Sequence, residues 1–293
     1  MKNLLYLFVS MFLILSVQSC KRMGDDDGNL LNDMDYNQGG IGEDRFLYQE
    51  VTSADTIAGY HYNGRKLVRV EGNNTVTNIS YSGDQINKID FTGVVAGDSI
   101  VYAQLFNYDP NNNTKLSTIT ETRTVYPNIA AQTAPLVFQK SRALYSIKFN
   151  ANSKLDSVIT RSGNEIPAQN FVFTSYQKSA YQYDTLWNVT KVTNSYGNVV
   201  GNVLGAALLT ESYDFSNFDD KRNPYSLLPF GYLLHKTFEN SFNSYRFSTN
   251  NPKRIMYSSD AIPLPILYNT LYTYDKIGYA ISGWGSNYEY RPF

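Results

Sequence analysis

Residues 60–70 read Tyr60-His61-Tyr62-Asn63-Gly64-Arg65-Lys66-Leu67-Val68-Arg69-Val70, and this stretch decides the fold. Aromatic, polar, aromatic is alternation with period two. It puts Tyr60 and Tyr62 on one face of a strand and His61 on the other. Asn63-Gly64 is a tight-turn dipeptide, and apolar residues then open a return strand. The unit is strand, turn, strand.

The unit recurs along the chain. Its leading triplets are Ile79-Ser80-Tyr81, Phe106-Asn107-Tyr108, Ile147-Lys148-Phe149, Phe171-Val172-Phe173 and Tyr181-Gln182-Tyr183, then Tyr213-Asp214-Phe215, Tyr245-Arg246-Phe247, Tyr272-Thr273-Tyr274 and Tyr288-Glu289-Tyr290. With the first, the middle residue is polar in nine of ten. One buried and one wetted face is antiparallel-sheet behaviour. The return strands carry apolar pairs: Leu67/Val70, Ile86/Ile89, Leu116/Ile119, Leu155/Val158 and Val189/Val192. Their i, i+3 spacing departs from alternation and marks a bulge or a strand end. Unit spacing is irregular, which excludes a strict solenoid.

The expected fold is therefore all-β: a large twisted antiparallel meander of repeated hairpins, open or partly rolled into a barrel, with one short helical insertion. Asp219–Tyr225 reads as a turn and short helix, started by Asn223 ahead of Pro224. Val125–Leu136 is a Pro- and Ala-containing excursion, and Val203–Leu209 is a small-residue apolar patch. No linker divides residues 46–293, which read as a single β domain.

The amino terminus is an address. Lys2 precedes an apolar run, Leu4–Val17, shorter than the roughly 20 residues of a membrane span and fitting a secretory signal. Ser19 stands directly before Cys20, the single cysteine of the 293 residues. Met1–Cys20 resembles the lipobox of bacterial lipoproteins, in which such a Cys is lipidated and becomes the first mature residue. Gln18 is bulkier than that motif usually carries. Residues 1–19 are thus read as a lipoprotein signal peptide and 20–45 as a lipidated Cys with a disordered tether. A flexible coil of about 25 residues averages roughly 25–30 Å end to end. The acidic run Asp25–Asp27 resembles the surface-export signal of Bacteroidota lipoproteins, although it lies further from the Cys than is usual.

Composition removes several functions. The balance of 25 Lys+Arg against 26 Asp+Glu, without basic runs, argues against nucleic-acid binding. One Cys and two His leave little for a zinc site or His-based catalysis. Aromatic residues, at 15%, nearly match the charged ones, at 17%, and the triplets absorb 18 of the 43 into architecture.

The units, Tyr-x-Tyr-Asp/Asn, turn, Leu-x-x-Ile/Val, resemble the YD-type repeats of bacterial envelope proteins. The chain is similar to a family of uncharacterised Bacteroidota lipoproteins with a porin-like β fold. The likeness lies in Phe218–Tyr225, Thr249–Ile255, Tyr272–Tyr279 and Tyr288–Tyr290, and covers most of residues 46–293. That resemblance implies outer-membrane attachment and brings no activity, cofactor or catalytic residue.

Candidate sites are few. His61 lies on the polar face of a strand, where a solvated or cross-strand role fits, and His235 suits packing or capping. Asp219 and Asp220 are adjacent and face opposite ways on a strand, unlike the converging pair of a glycosidase. No enzymatic activity, cofactor or metal site is expected. Asp55-Thr56-Ile57, Asp98-Ser99-Ile100, Asp156-Ser157-Val158 and Asp184-Thr185-Leu186 resemble the O-glycosylation sequon of exported Bacteroidota proteins, giving Thr56, Ser99, Ser157 and Thr185 as candidate acceptors. Asp at a turn end followed by a strand start yields the same tripeptides. Trp187 and Trp284, near turns, are candidate glycan-stacking residues, and core packing is the competing role for each.

The expectation is a lipid-anchored outer-membrane protein, periplasmic or surface-exposed, with a binding or structural role. Its partners are the membrane, through Cys20, and a glycan or another envelope protein, with no nucleic acid. A glycan-binding accessory of a polysaccharide-uptake system is the alternative; a hydrolase or an integral β-barrel ranks below it. The barrel is disfavoured because most strands read as shorter than the roughly 9–11 residues that span a bilayer.

Overall fold

A computed structural model of the chain describes residues 45–110, 112–128 and 138–292. The signal peptide, Cys20, the tether and much of the Val125–Leu136 excursion lie outside the described residues. Residues 46–291 pack as one compact unit.

The chain is nearly all antiparallel sheet. Its strands are β1 (Arg45–Val51), β2 (Thr56–Asn63), β3 (Lys66–Gly72), β4 (Thr75–Ser82), β5 (Gln85–Val95), β6 (Asp98–Asp109), β7 (Asn112–Tyr126), β8 (Gln139–Phe149) and β9 (Leu155–Asn164). Then come β10 (Ser175–Tyr183), β11 (Val189–Val200), β12 (Val203–Arg222), β13 (Asn250–Ser259), β14 (Ile266–Asn269), β15 (Thr273–Tyr274), β16 (Ala280–Gly283) and β17 (Ser286–Pro292). Each strand from β1 to β14 pairs with its sequence neighbours. β15, β16 and β17 continue the meander, and β17 pairs with β1. No residue register joins β14 to β15 among the described residues. The 17-stranded sheet stays open there and does not close into a barrel.

Strand length corrects one expectation. β5 through β13 each run nine residues or more, with β12 at 20, so length does not argue against spanning a bilayer. The outward face bears on that question instead. It carries charge, including the Lys88–Asp90 pair at 2.9 Å and exposed Lys140 and Lys148.

The i, i+3 spacing of the return strands is a bulge, repeated in register. Tyr62 pairs with Leu67 and His61 with Arg69, leaving Val68 as the extra residue. The same shift leaves out Asn87 opposite Ser80/Tyr81, Ser117 opposite Asn107/Tyr108, Asp156 opposite Lys148/Phe149 and Thr190 opposite Gln182/Tyr183. Two residues of the return strand face one of the leading strand, which reverses the parity of side chains beyond that point. Leu67 and Val70 are therefore both buried although three apart, as are Ile86/Ile89, Leu116/Ile119, Leu155/Val158 and Val189/Val192.

One hairpin differs from the rest. Between β12 and β13, where other units have a short turn, the chain forms α1 (Phe230–Glu239) and a 3-10 helix, Ser241–Phe247. Both pack on the core-facing side of the sheet. Tyr232 meets Tyr60 edge-on at 6.2 Å, Phe238 stacks on Tyr145 at 4.1 Å, and Phe247 meets Tyr181 at 6.1 Å. These rings come from β2, β8 and β10, so the sheet wraps around the insertion. Gly231 allows the closest approach: a Cβ there would stand 3.1 Å from the Phe106 ring and 3.3 Å from Ile86.

Three local expectations are corrected. The insertion is two helical elements, and the first begins after Pro229, not at Asn223. Asn223 instead makes a turn, its side-chain oxygen accepting from the Tyr225 N–H at 3.0 Å and its amide donating to the Tyr245 carbonyl at 2.9 Å. Tyr245-Arg246-Phe247 lies in the 3-10 helix, which Asn240 starts by accepting from the Phe242 N–H at 2.9 Å. Phe171-Val172-Phe173 is irregular rather than strand. It crosses Gly163 so closely that a Cβ there would lie 2.2 Å from the Val172 carbonyl oxygen, and its two rings meet edge-on at 5.1 Å.

Candidate functional site: an aromatic cleft at the turn end

The second aromatic of each triplet joins its hairpin to the one before. Tyr62 donates its hydroxyl to the Leu47 carbonyl at 2.9 Å and Tyr81 to Leu67 at 2.8 Å. Tyr108 donates to Ile86 at 3.0 Å and Tyr183 to Leu155 at 2.9 Å. Phe149 holds the same position in its hairpin without a hydroxyl. Burial pushes the Tyr81 phenol up to about 12 and raises Tyr108 and Tyr183 as well, so these hydroxyls remain donors at physiological pH. With their polar tips committed to backbone, the rings present their carbon faces.

Those faces line a cleft of about 520 Å³ between the turn ends of the hairpins and the start of α1. Tyr81, Tyr108, Phe149 and Tyr183 come from the sheet, and Phe230 and Phe247 from the insertion. Phe230 lies 5.7 Å from Phe149 and 5.6 Å from Phe247, ring centre to ring centre. It keeps 37% of its surface exposed although it opens a helix whose next residues are buried. Asp84 and Lys154 add charge to the lining, and Lys66 pairs with Asp84 at 2.9 Å. A concave, mostly apolar site with a few polar groups is the usual form of a small-ligand site.

Three turns at this end share one construction. In each, an Asn or Asp accepts from N–H groups two and four residues on: Asn150 from Asn152 and Lys154, Asp184 from Leu186 and Asn188, Asp275 from Ile277 and Tyr279. The third residue after the cap is left-handed, with φ of 59° at Ser153, 66° at Trp187 and 90° at Gly278. The Asp184 turn keeps the common register with Trp187 where the Asp275 turn has Gly278. Trp187 takes the strained position, with the Lys154 ammonium 5.2 Å from its ring centre.

The sequence-predicted residues scatter. Trp187 is 36% exposed beside the cleft. Trp284 is partly buried, edge-on to Phe242 at 5.4 Å, and belongs to the core. Thr56, Ser99 and Thr185 are exposed, whereas Ser157 is buried with its hydroxyl on Asp156 at 3.1 Å. His61 bonds Glu71 across strands at 3.2 Å. His235 is enclosed in α1 with Nδ1 3.1 Å from Gln104 Oε1, and burial lowers its pKa to about 3. Asp219 accepts from the Lys221 and Asn251 N–H groups and from the Tyr274 hydroxyl, while Asp220 is exposed beside Lys221. Cys20 lies outside the described residues. Among those residues no three His, Cys, Asp or Glu side chains gather as a metal site.

Two buried ionic clusters lie beneath the insertion: the Glu50 cluster binds it directly, and the Glu121 cluster, within the sheet, reaches it through Gln104, which meets His235. Glu50 accepts from Tyr60 and, at 2.9 Å, from Tyr225, with Arg246 at 3.5 Å. Glu121 accepts from Gln104 at 2.7 Å, Tyr145 at 2.8 Å and Arg123 at 2.8 Å. Neither cluster was visible in the sequence, since each joins residues far apart in the chain.

No protein-family model and no curated protein matches the chain. Among solved structures it is similar to a porin-like protein from Bacteroides vulgatus ATCC 8482, with a TM-score of 0.51 at 11% identity, covering 85% of this chain and 100% of that one. At that identity the likeness is one of fold: a large, porin-like antiparallel β architecture.

Proposed function

We propose that the chain is a lipid-anchored protein of the bacterial cell envelope, held at the outer membrane through Cys20, and that its role is to bind a glycan in the turn-end cleft. The signal-like leader ending at Cys20 supports the anchor. The porin-like neighbour supports an envelope setting. The binding role rests on one observation: ring faces from four hairpins and the insertion converge on a cleft, their tyrosine hydroxyls already bonded to backbone. Such faces stack on the apolar sides of sugar rings. A glycan array probed with the mature chain tests this, and absence of signal at high protein concentration overturns it. For the anchor, Cys20→Ala moves the protein from the membrane fraction to the soluble one; retention at the membrane counts against it.

A second reading, an assembly component, is favoured by the hairpin of β11 and β12. Val200, Val203 and Leu208 are exposed by 73%, 68% and 72%, and no charged residue occurs between Val199 and Thr210. The β12 ladder to β13 starts only at Glu211, so an uncharged edge is left beyond it. Concentration-dependent association in analytical ultracentrifugation, lost in Leu208→Glu, would support that role.

A further inference from the structure

We propose that the cleft selects an acidic saccharide, a chain of uronic-acid sugars, over a neutral one; this rests on the reading of the cleft as a glycan site. Lysines outnumber the carboxylate of its lining, and among the described residues the one further acid that bears on a lining residue is Asp156, beside Tyr183. Asp84, the carboxylate of the lining, is neutralised by Lys66 at 2.9 Å. Lys154 and Lys115 have no carboxylate partner among the described residues. Each ammonium sits over an aromatic ring instead, 5.2 Å from Trp187 and 5.6 Å from Phe149. A ring face holds a cation in place without neutralising it, and the attraction is weak at an exposed site. An arriving carboxylate therefore gains a charge-assisted bond and displaces no anion. The opening of α1 adds to this, because Pro229 caps it without a side-chain acceptor.

The ligand class follows from combining this charge with the rings. A bare anion would leave the aromatic faces unused, and a neutral sugar would leave the two ammonium groups unused. A uronate unit carries an apolar sugar face and a carboxylate on the same ring.

Trp187 supplies the readout. The experiment uses the full-length mature chain with Cys20→Ala and Trp284→Phe, which leaves Trp187 as the single tryptophan. Tryptophan emission and calorimetry are followed during titration with oligogalacturonate and with a neutral galacto-oligosaccharide of equal length. The expected result is saturable binding of the oligogalacturonate, at least about tenfold tighter than the neutral sugar and weakened by 0.5 M salt as charge pairing requires. The double variant Lys115→Gln, Lys154→Gln should bring the two affinities together, while Lys140→Gln, away from the cleft, should leave them apart. Equal binding of both sugars overturns the acidic preference and leaves the glycan reading standing. Binding of neither overturns both. Binding that persists unchanged in the double lysine variant places the ligand elsewhere and also overturns the proposal.

Discussion

The Tyr81 hydroxyl donates to the Leu67 carbonyl at 2.8 Å, and Leu67 is the residue that pairs with Tyr62, the Tyr81 counterpart one hairpin earlier. The bond thus runs from the end of one hairpin to the start of the previous return strand. It satisfies a carbonyl at the bulge, where the regular ladder is interrupted.

Removing one such hydroxyl should cost about 1 kcal/mol, the net worth of a partly buried hydrogen bond together with an unsatisfied carbonyl. Tyr81→Phe, Tyr108→Phe and Tyr183→Phe should each lower stability by that amount in urea titrations. Tyr126→Phe, at an exposed ring, should change nothing measurable. Equal effects at all four positions would refute the linking role.

The bulge makes a second, larger prediction. Asn87 is the extra residue of its hairpin and is exposed. Asn87→Ala should therefore be nearly neutral. Deleting Asn87 alone should turn the bulge into a regular ladder, because Ile86, Lys88, Ile89, Asp90 and Phe91 then alternate on the faces they already hold. Deleting Asn87 and Lys88 together should reverse the faces of β5 beyond Ile86, moving Ile89 and Phe91 outward and Asp90 inward. Exposing two core residues at about 1.5–3 kcal/mol each, with Asp90 turned inward, exceeds what a marginally stable domain tolerates. The double deletion should abolish cooperative unfolding in calorimetry, whereas the alanine variant and the deletion of Asn87 alone should keep it.

Alternation made the strands legible, because Tyr60-His61-Tyr62 can bury two rings and wet a histidine only as an extended segment. The same signal misled at Tyr245-Arg246-Phe247 and Phe171-Val172-Phe173. In the first, an Asn240 cap opens a 3-10 helix. In the second, the close approach to Gly163 takes the place of a ladder. Local pattern contains neither fact. The cleft was illegible for a related reason: Phe230 reaches it only because the insertion folds back onto four hairpins that are distant in sequence. Trp187 was readable as a turn residue beside a site, and Trp284, equally near a turn, belongs to the core.

Trp187 occupies a left-handed position, φ 66°, where the matching turn at Asp275 uses Gly278. A side chain there is strained by about 1 kcal/mol. Trp187→Gly should leave the turn intact and raise stability by up to about that amount, partly offset by the greater freedom of glycine in the unfolded chain. A loss of more than about 1 kcal/mol would show that the ring is a structural support and not a residue held at the cleft against local preference.

Glu50 is 2% exposed and serves Tyr60, Tyr225 and Arg246 at once. Glu50→Ala should cost about 3–5 kcal/mol, since it leaves a buried guanidinium without its anion. Glu50→Ala combined with Arg246→Ala should cost clearly less than the two single losses added together. Simple additivity in a double-mutant cycle would remove the ion pair from the account of how the 3-10 helix is held.

His235 gives the fold an acid sensitivity with a definite sign. Its pKa falls from 6.5 to about 3, chiefly through burial, with Lys236 and Arg123 adding to the depression and Glu239 opposing it. The folded value lies below the unfolded one, so the unfolded chain takes up a proton first as pH drops. Stability from this group is complete above about pH 6.5 and drains away toward pH 3. Between pH 7.5 and 4.5 the loss should reach roughly 2–3 kcal/mol. Glu239, whose carboxyl is held below its usual range against the cost of burial by Lys236, His235 and the Tyr102 hydroxyl, acts in the same direction. Urea midpoints of the wild-type chain should therefore fall across this window. In His235→Gln, whose amide can still donate to Gln104, they should fall much less. An unchanged slope in that variant would assign the acid sensitivity to the carboxylates alone.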